Sequence, residues 1–275
     1  MEMKPLRIVF WGEDAFSNII LNSLIEAGHS VTLVVTPFYE NLIYKKLEFT
    51  CNRSGIKYIR PRKINSQEVI DAVTKANPDL CVISHFERLI KEPLLSVPKM
   101  GFINLHPSLL PNYRGMAPQH WPIINGEKEA GITVHYVDEG TDTGDIIVQR
   151  RFPLSEDMYV SDLQRLWMNH YKTIMVEAIN NICNGMPVIV QRHLEGSYYG
   201  KLKREQCQID TNGSVKAAYN LIRGVSLPYF GARYNNLVIY RAHILEEQEV
   251  KSSDKQIISF PDGKLVVDQF KPIDL

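Results

Sequence analysis

Arg7 to Trp11, Val31 to Thr36 and Leu80 to Ser84 are short runs whose apolar residues, many β-branched, fall on both parities. A strand of that kind has two apolar faces. It must be covered on both sides, which is the situation of a largely parallel sheet clothed by helices rather than of a sheet with one face in water. The intervening segments supply the covers. Gly12 breaks the first run, and Ile19, Ile20, Leu24 and Ile25 follow at helical spacing. A third strand is expected at Lys57 to Arg60, ahead of Pro61. Ser66 is placed to N-cap a helix carrying Val69, Ile70 and Val73, which Asn77 and Pro78 end. The expected fold class is therefore α/β, with a Rossmann-like, mostly parallel sheet and right-handed helical crossovers.

Beyond Gly101 the pattern changes. Phe102 to Leu105 reads as a strand, Ala117 to Asn125 as a short helix, and Ile132 to Val137 and Ile146 to Arg150 as strands around a glycine-rich turn. Ser161 opens a long amphipathic helix whose Leu163, Leu166, Trp167, Ile174, Val176 and Ile179 form a core stripe, ended by Gly185 and Pro187. At roughly 150 residues per domain, 275 residues fit one large or two small units. A boundary is expected near Gly200, giving a unit over 1–199 and a small β-rich, OB-like unit over 200–275. The latter holds a helix at Ser214 to Arg223 and strands at Leu237 to Arg241 and, after the turn signal Asp262-Gly263, Lys264 to Phe270.

Several functions are disfavoured at once. Lys plus Arg number 31 and Asp plus Glu 31, so the chain lacks the cationic excess by which proteins neutralise many phosphates. No nucleic-acid or membrane partner is expected. Gly12 is followed by Glu13, Asp14, Ala15 and Phe16, which lacks the closely spaced glycines of a dinucleotide site and would repel a pyrophosphate. Cys51, Cys81, Cys183 and Cys207 have no metal-type spacing and read as reduced thiols, Cys81 as core. The eight histidines form no recognisable ligand pattern, so no metal is expected, and His120 and His135 read as ordinary polar contacts. The first residues lack a leader-type apolar core and no segment reaches the roughly 18 apolar residues of a membrane span. A cytoplasmic location is expected.

Chemistry concentrates in two places. Asn104 and His106, two apart at the end of a strand, point to one face, where Pro107 stops the ladder. An amide and an imidazole there can address one carbonyl at the carboxyl edge of the sheet, although a hydrogen-bonded structural histidine gives the same pattern. Asp138 to Gly144 is a glycine-rich turn, and taken alone its aspartates would bond their own backbone.

Together these segments resemble the formyltetrahydrofolate-dependent formyltransferases. Phe102-Ile103-Asn104-Leu105-His106-Pro107-Ser108-Leu109-Leu110-Pro111-Asn112-Tyr113-Arg114-Gly115 is similar to the family's central signature, Ala117-Pro118-Gln119-His120-Trp121 and Gly131-Ile132-Thr133 continue it, and Asp142-Thr143-Gly144-Asp145-Ile146 matches its second motif. Asn220 to Ala232 is similar to the carboxyl-terminal domain of the longer members. The resemblance implies a catalytic trio of Asn104, His106 and Asp142: the amide and a protonated or donor imidazole facing the oxyanion, the carboxylate orienting the ring and helping to move a proton. Whether His106 is base or oxyanion partner stays open at this point. It also implies N10-formyltetrahydrofolate as co-substrate, with the pterin near Phe86, Arg88, Leu89 and Ile90 and near Asp138 and Gly140. Ser108, Arg114, Tyr229 and Phe230 are the corresponding candidates for the acceptor, Arg114 for a phosphate or carboxylate and the two aromatics for a base. For Arg114 a structural ion pair, and for the aromatics simple packing, are the alternatives.

Family branches formylate glycinamide ribonucleotide, methionyl-tRNA or a nucleotide-linked amino sugar. The extra unit disfavours the first. The charge balance, and a loop Thr36 to Asn41 without the basic, glycine-containing character of the tRNA branch, disfavour the second. The expected acceptor is dTDP-4-amino-4,6-dideoxyglucose or a close relative, as used for bacterial surface polysaccharides such as O-antigen. A UDP-4-amino-4-deoxyarabinose or methionyl-tRNA formyltransferase, and a non-enzymatic folate or nucleotide-sugar binding protein, are the alternatives. A homodimer is implied by resemblance alone.

Overall fold

The computed structural model describes residues 4–38, 46–191, 194–246 and 256–273. In chain order the elements are β1 (Arg7–Gly12), α1 (Ala15–Glu26), β2 (Ser30–Val35), α2 (Lys46–Ser54), β3 (Tyr58–Ile59), α3 (Gln67–Ala76), β4 (Leu80–Ser84), β5 (Phe102–His106) and the two-residue β6 (Arg114–Gly115). Then come α4 (Trp121–Ile124), β7 (Glu129–Tyr136), β8 (Ile146–Pro153), α5 (Val160–Cys183), the two-residue β9 (Tyr198–Tyr199), α6 (Val215–Val225), β10 (Ala232–Tyr234), β11 (Leu237–Ile244), β12 (Ile257–Phe260) and β13 (Gly263–Pro272).

The chain forms two compact units, one of 1–114, 132–150 and 167–197, the other of 115–131, 151–166 and 198–275. The second thus draws in two segments from ahead of Gly200. A seven-stranded sheet runs in the order β3-β2-β1-β4-β5-β7-β8. Its β1, β2, β3, β4 and β5 pair in parallel and β7 runs antiparallel to β5. In β1, Ile8, Val9, Phe10 and Trp11 are all fully buried, as a strand apolar on both faces must be, and each contributes about 1.5–3 kcal/mol of burial. Strand order reverses between β1 and β4, and the carboxyl edge at that point is where open α/β sheets place their ligands.

The turn after β1 is structural. Asp14 caps α1 by accepting from the Ser17 backbone N–H at 2.9 Å, and Glu13 accepts the backbone N–H of Glu87. A Cβ on Gly12 would lie 2.6 Å from that of Ser17, so the glycine serves close strand–helix approach. Ser66 sits at the expected N-cap of α3 with extended backbone, but its hydroxyl makes no cap bond, while Asn77 ends the helix in the left-handed region at φ 47°. The expected helix at Ala117 to Asn125 is a single turn, Trp121–Ile124, because Ala117 has φ 60° and Pro118 follows it, while Pro122 sits in the first turn, where proline is tolerated.

The second unit contains a four-stranded antiparallel sheet in the order β10-β11-β13-β12. Val215, Ile222 and Val225 of α6 share a core with Ile239, Ile258 and Leu265. Ser214 caps α6 by accepting from Ala217, and Asp262, at the β12–β13 turn, accepts from Val215 at 2.8 Å. All four cysteines are free, and Cys81 is fully buried, as expected of a core residue. No helix among the described residues is long and apolar enough to cross a membrane.

Candidate active site

The antiparallel register of β5 and β7 sets Asn104 opposite His135 and His106 opposite Thr133. Alternation along each strand then turns all four side chains to one face. Asn104 Nδ2 lies 3.3 Å from His135 Nε2. His106, 4% exposed, has Nε2 at 2.8 Å from the carbonyl of Tyr113, and His135 has Nδ1 at 2.7 Å from the carbonyl of Tyr136. A carbonyl only accepts, so each of these ring nitrogens carries a proton. The remaining nitrogen of each ring faces one carboxylate: His106 Nδ1 is 3.6 Å from Asp142 Oδ2, and His135 Nε2 is 3.5 Å from Asp142 Oδ1. A single carboxylate bridges two imidazoles whose outer nitrogens are fixed by the main chain.

This arrangement distributes the roles. Burial pushes His106 below the usual imidazole value, against the raising influence of Asp142 and of the bond to Tyr113. Its Nε2–H is committed to a carbonyl and its Nδ1 looks at a carboxylate, so the nitrogen left to take up a proton is Nδ1, beside Asp142. Asn104, half-buried at the strand end, donates one amide N–H toward the unprotonated Nε2 of His135 and has a second N–H to offer the cleft.

Asp142 reaches the histidines from a loop whose shape leaves little latitude. Asp138 Oδ1 accepts the Gly140 N–H at 3.0 Å and the Thr143 hydroxyl at 2.6 Å, the local bonding expected of an aspartate in such a turn. Asp142 has φ 54°, in the left-handed region that non-glycine residues enter at a cost. A Cβ on Gly144 would lie 1.9 Å from the carbonyl oxygen of Tyr136.

One cleft joins Asn104 and Asp142 to the segments expected to hold the pterin, with His106 behind its lining, in reach of Asp142. It is lined by Asn104, His135 and Asp142 together with Phe86, Arg88, Leu89, Ile90, Asp138 and Gly140, and also by Ile83, Lys91, Val137, Glu139 and Thr141. Phe86 stands edge-on to buried Trp11 at 5.7 Å, which anchors the apolar wall. Asn65 clamps the rim: its Nδ2 donates to the Leu89 carbonyl at 2.9 Å and its Oδ1 accepts from Lys91 N–H at 2.8 Å. Leu89 is 61% exposed at this edge.

The acceptor candidates are placed differently. Ser108 is buried with its hydroxyl donated to the Asn112 carbonyl at 2.8 Å, so it braces the loop after β5. Arg114 is half-buried, with Nη2 donating to Gln191 Oε1 at 3.2 Å. Tyr229 and Phe230 belong to the second unit, where the Tyr229 ring meets that of His120 at 4.3 Å, its hydroxyl accepts from Gln119 at 3.4 Å and from Gln164, and Arg204 lies over Phe230 at 5.6 Å. His120 is an interior polar contact, its Nδ1 donating to the Gly224 carbonyl at 2.7 Å. His135, by contrast, is a member of the site itself, and its signal was the alternation Thr133, His135 on a strand facing Asn104. Tyr39 to Asn41 of the loop after β2 lie outside the described residues.

Comparison with known proteins agrees with the geometry. Residues 7–179 match the family model described as Formyl transferase. Among sequence relatives, the methionyl-tRNA formyltransferase of Clostridioides difficile (strain 630) is 33% identical over 268 residues, covering 94% of this chain and 87% of its own. That of Ruminiclostridium cellulolyticum is 36% identical over 235 residues, covering 82% and 75%. Among solved structures, WlaRD, a sugar 3N-formyl transferase, aligns with TM-score 0.74 at 22% identity over 96% of this chain and 98% of its own. The N-formyltransferase from Helicobacter canadensis aligns with TM-score 0.73 at 20% identity over 97% and 100%. A cleft lined by an amide, a carboxylate and His135 is thus carried by a chain matched over more than half its length, and this chain belongs to the formyl transferase family.

Proposed function

We propose that the protein transfers the formyl group of N10-formyltetrahydrofolate to the amine of a nucleotide-linked amino sugar. The observation that carries the transfer chemistry is the continuity of one cleft from Phe86–Ile90 and Asp138–Gly140 to Asn104 and Asp142. The apolar wall and the loop backbone suit a flat pterin, which leaves the formyl carbon to meet the trio. The amine nitrogen bonds to that carbon while Asn104 donates to the formyl oxygen, on which negative charge builds. The Asp142–His106 pair takes the proton lost by the amine and returns it to N10 as the carbon–N10 bond breaks, so the products are a formamide and tetrahydrofolate.

The sugar acceptor draws support from the balanced charge of the chain and from the near-complete alignment with two sugar N-formyltransferases, one crystallised with dTDP and 5-N-formyl-THF and one with folinic acid and dTDP-3-aminofucose. A dTDP-linked 4-amino-4,6-dideoxyhexose is the preferred member of this class, with Arg114 as an acceptor contact and surface polysaccharide synthesis by a cytoplasmic homodimer as the setting. Formylation of methionyl-tRNA is the second reading, favoured by the names of the sequence relatives. Incubation with N10-formyltetrahydrofolate and a panel of dTDP- and UDP-linked 3- and 4-amino sugars and charged tRNA, followed by product mass, separates them. Formylated sugar nucleotide is expected; formylation of tRNA alone overturns the choice of acceptor. A ligand at 100 times its Kd raises stability by about 2.7 kcal/mol, so melting shifts with dTDP and UDP identify the nucleotide.

A further inference from the structure

We propose that Gln191 is a positioning residue for the transfer reaction: its buried side chain ties the backbone of the Asp142 loop to the Arg114 guanidinium and so holds the Asp142 carboxylate between His106 and His135. This rests on the reading of Asp142 as part of the reacting trio.

Gln191 is 0% exposed. Its Nε2 donates to the carbonyls of Asp142, at 3.3 Å, and Gly144, while its Oε1 accepts from Arg114 Nη2 at 3.2 Å. Only an amide satisfies this arrangement, because the two carbonyls need a donor and the guanidinium needs an acceptor on the same planar head. Its own N–H donates to Asp145 Oδ1 at 3.3 Å. The segment arrives in a fixed position, since Ile189 and Ile146 exchange backbone hydrogen bonds of 2.9 Å in each direction.

The loop needs such a tie. Asp142 is left-handed, and this conformation persists only where surrounding contacts over-determine it. Asp138 secures the entry side through Gly140 and Thr143, and Gln191 secures the exit side through Asp142 and Gly144. Release of the exit side lets the backbone relax and draws the carboxylate away from rings that it now faces at 3.5 and 3.6 Å. Arg114, whose Nε finds no hydrogen-bond partner among the described residues, is held in turn by the same amide.

The test compares wild type with Gln191→Met, which keeps the volume and removes both functions, and Gln191→Glu, which sets an acceptor against two carbonyls. For a displacement of about 1 Å, kcat is expected to fall about 100-fold, with affinity for folinic acid changed less than about 3-fold and a melting temperature lowered by the buried groups left unpaired in a variant that still folds. In the Asp142→Asn background, Gln191→Met is expected to add almost nothing, since the two changes act through one group. His106 faces Asp142, His135, the Tyr113 carbonyl and, at longer range, His85. In labelled Gln191→Met protein its NMR titration should move to lower pH as the carboxylate withdraws. An unchanged kcat, a fully multiplicative double variant or an unmoved His106 titration each overturns the proposal. If wild type transfers formyl to none of the acceptors, the function proposed above fails, and the titration still decides the role of Gln191. If Gln191→Met does not fold, Gln191→Asn, one methylene too short to span both sides, is measured in its place with the same expected direction.

Discussion

Asp142→Asn removes a charge and little else, and its effect follows from two distances. The carboxylate is 3.6 Å from His106 and 3.5 Å from His135, and only half-buried. An ion pair at that separation is worth about 4–5 kcal/mol at an effective dielectric constant near 20, and each 1.36 kcal/mol is tenfold in rate, so the imidazolium formed as His106 takes the amine proton loses about 1,000-fold or more of support. The expected result is a fall of that order in kcat with folding and folinic acid affinity retained. The pH dependence has a definite sign. His106 must be neutral to accept a proton, and burial already holds it below the usual imidazole value. Wild-type kcat/KM should therefore be level at neutral pH and fall on acidification below the ordinary histidine range. Asp142 works to raise His106, so its loss should move that acid limb to lower pH still. Initial rates across the acid limb, with product followed by mass, check both statements. A rate within tenfold of wild type, or an acid limb that moves upward, would refute the assignment of Asp142 as partner of His106.

Asn104→Leu deletes the side-chain amide proposed to meet the formyl oxygen and should cost about 100- to 1,000-fold in kcat, measured at saturating folate; a loss confined to KM would point to binding instead. Asn65→Ala releases the Leu89 carbonyl and Lys91 N–H that it clamps and should weaken folinic acid about tenfold in calorimetry, while kcat at saturation stays near wild type. His120, buried and pushed down to about 4, should make the fold acid-sensitive: between the unfolded value near 6.5 and the folded one, only the unfolded state gains a proton. Stability present above the unfolded value is lost as pH falls through this window, by about 3 kcal/mol, and urea midpoints at neutral and acid pH should show a flatter dependence in His120→Gln.

The central sheet was legible because parallel strands are buried on both faces. Arg7–Gly12 and Leu80–Ser84 stand in the sequence as largely apolar runs, and Phe102–His106 is set off by Gly101 and Pro107. Helix α2 escaped notice because its inward face is only Leu47, Thr50 and Cys51, one of them polar, so no stripe marks it. The division into units escaped for a different reason. Gly115–Gly131 joins the second unit through contacts about a hundred residues away, such as His120 with the Gly224 carbonyl at 2.7 Å, and Gly126, where a Cβ would lie 2.8 Å from Asn220 Nδ2. Local patterning carries no trace of such pairs.

In the site, residue identity was legible and state was not. Asn104, His106 and Asp142 could be named as candidates from motif and strand position, but which ring nitrogen of His106 is committed depends on the Tyr113 carbonyl. Tyr113 lies seven residues on, and only the loop closed by Ser108 and Asn112 brings its carbonyl back to the ring. His135 shows the same limit. Alternation tells that Thr133 and His135 share a face, yet only the antiparallel register makes the partner of His135 the amide Asn104. Main-chain groups thus set the proton positions in both rings. Replacing Tyr113 by another residue able to hold φ 61° should therefore preserve the tautomer of His106, whereas any change that turns its carbonyl away should not.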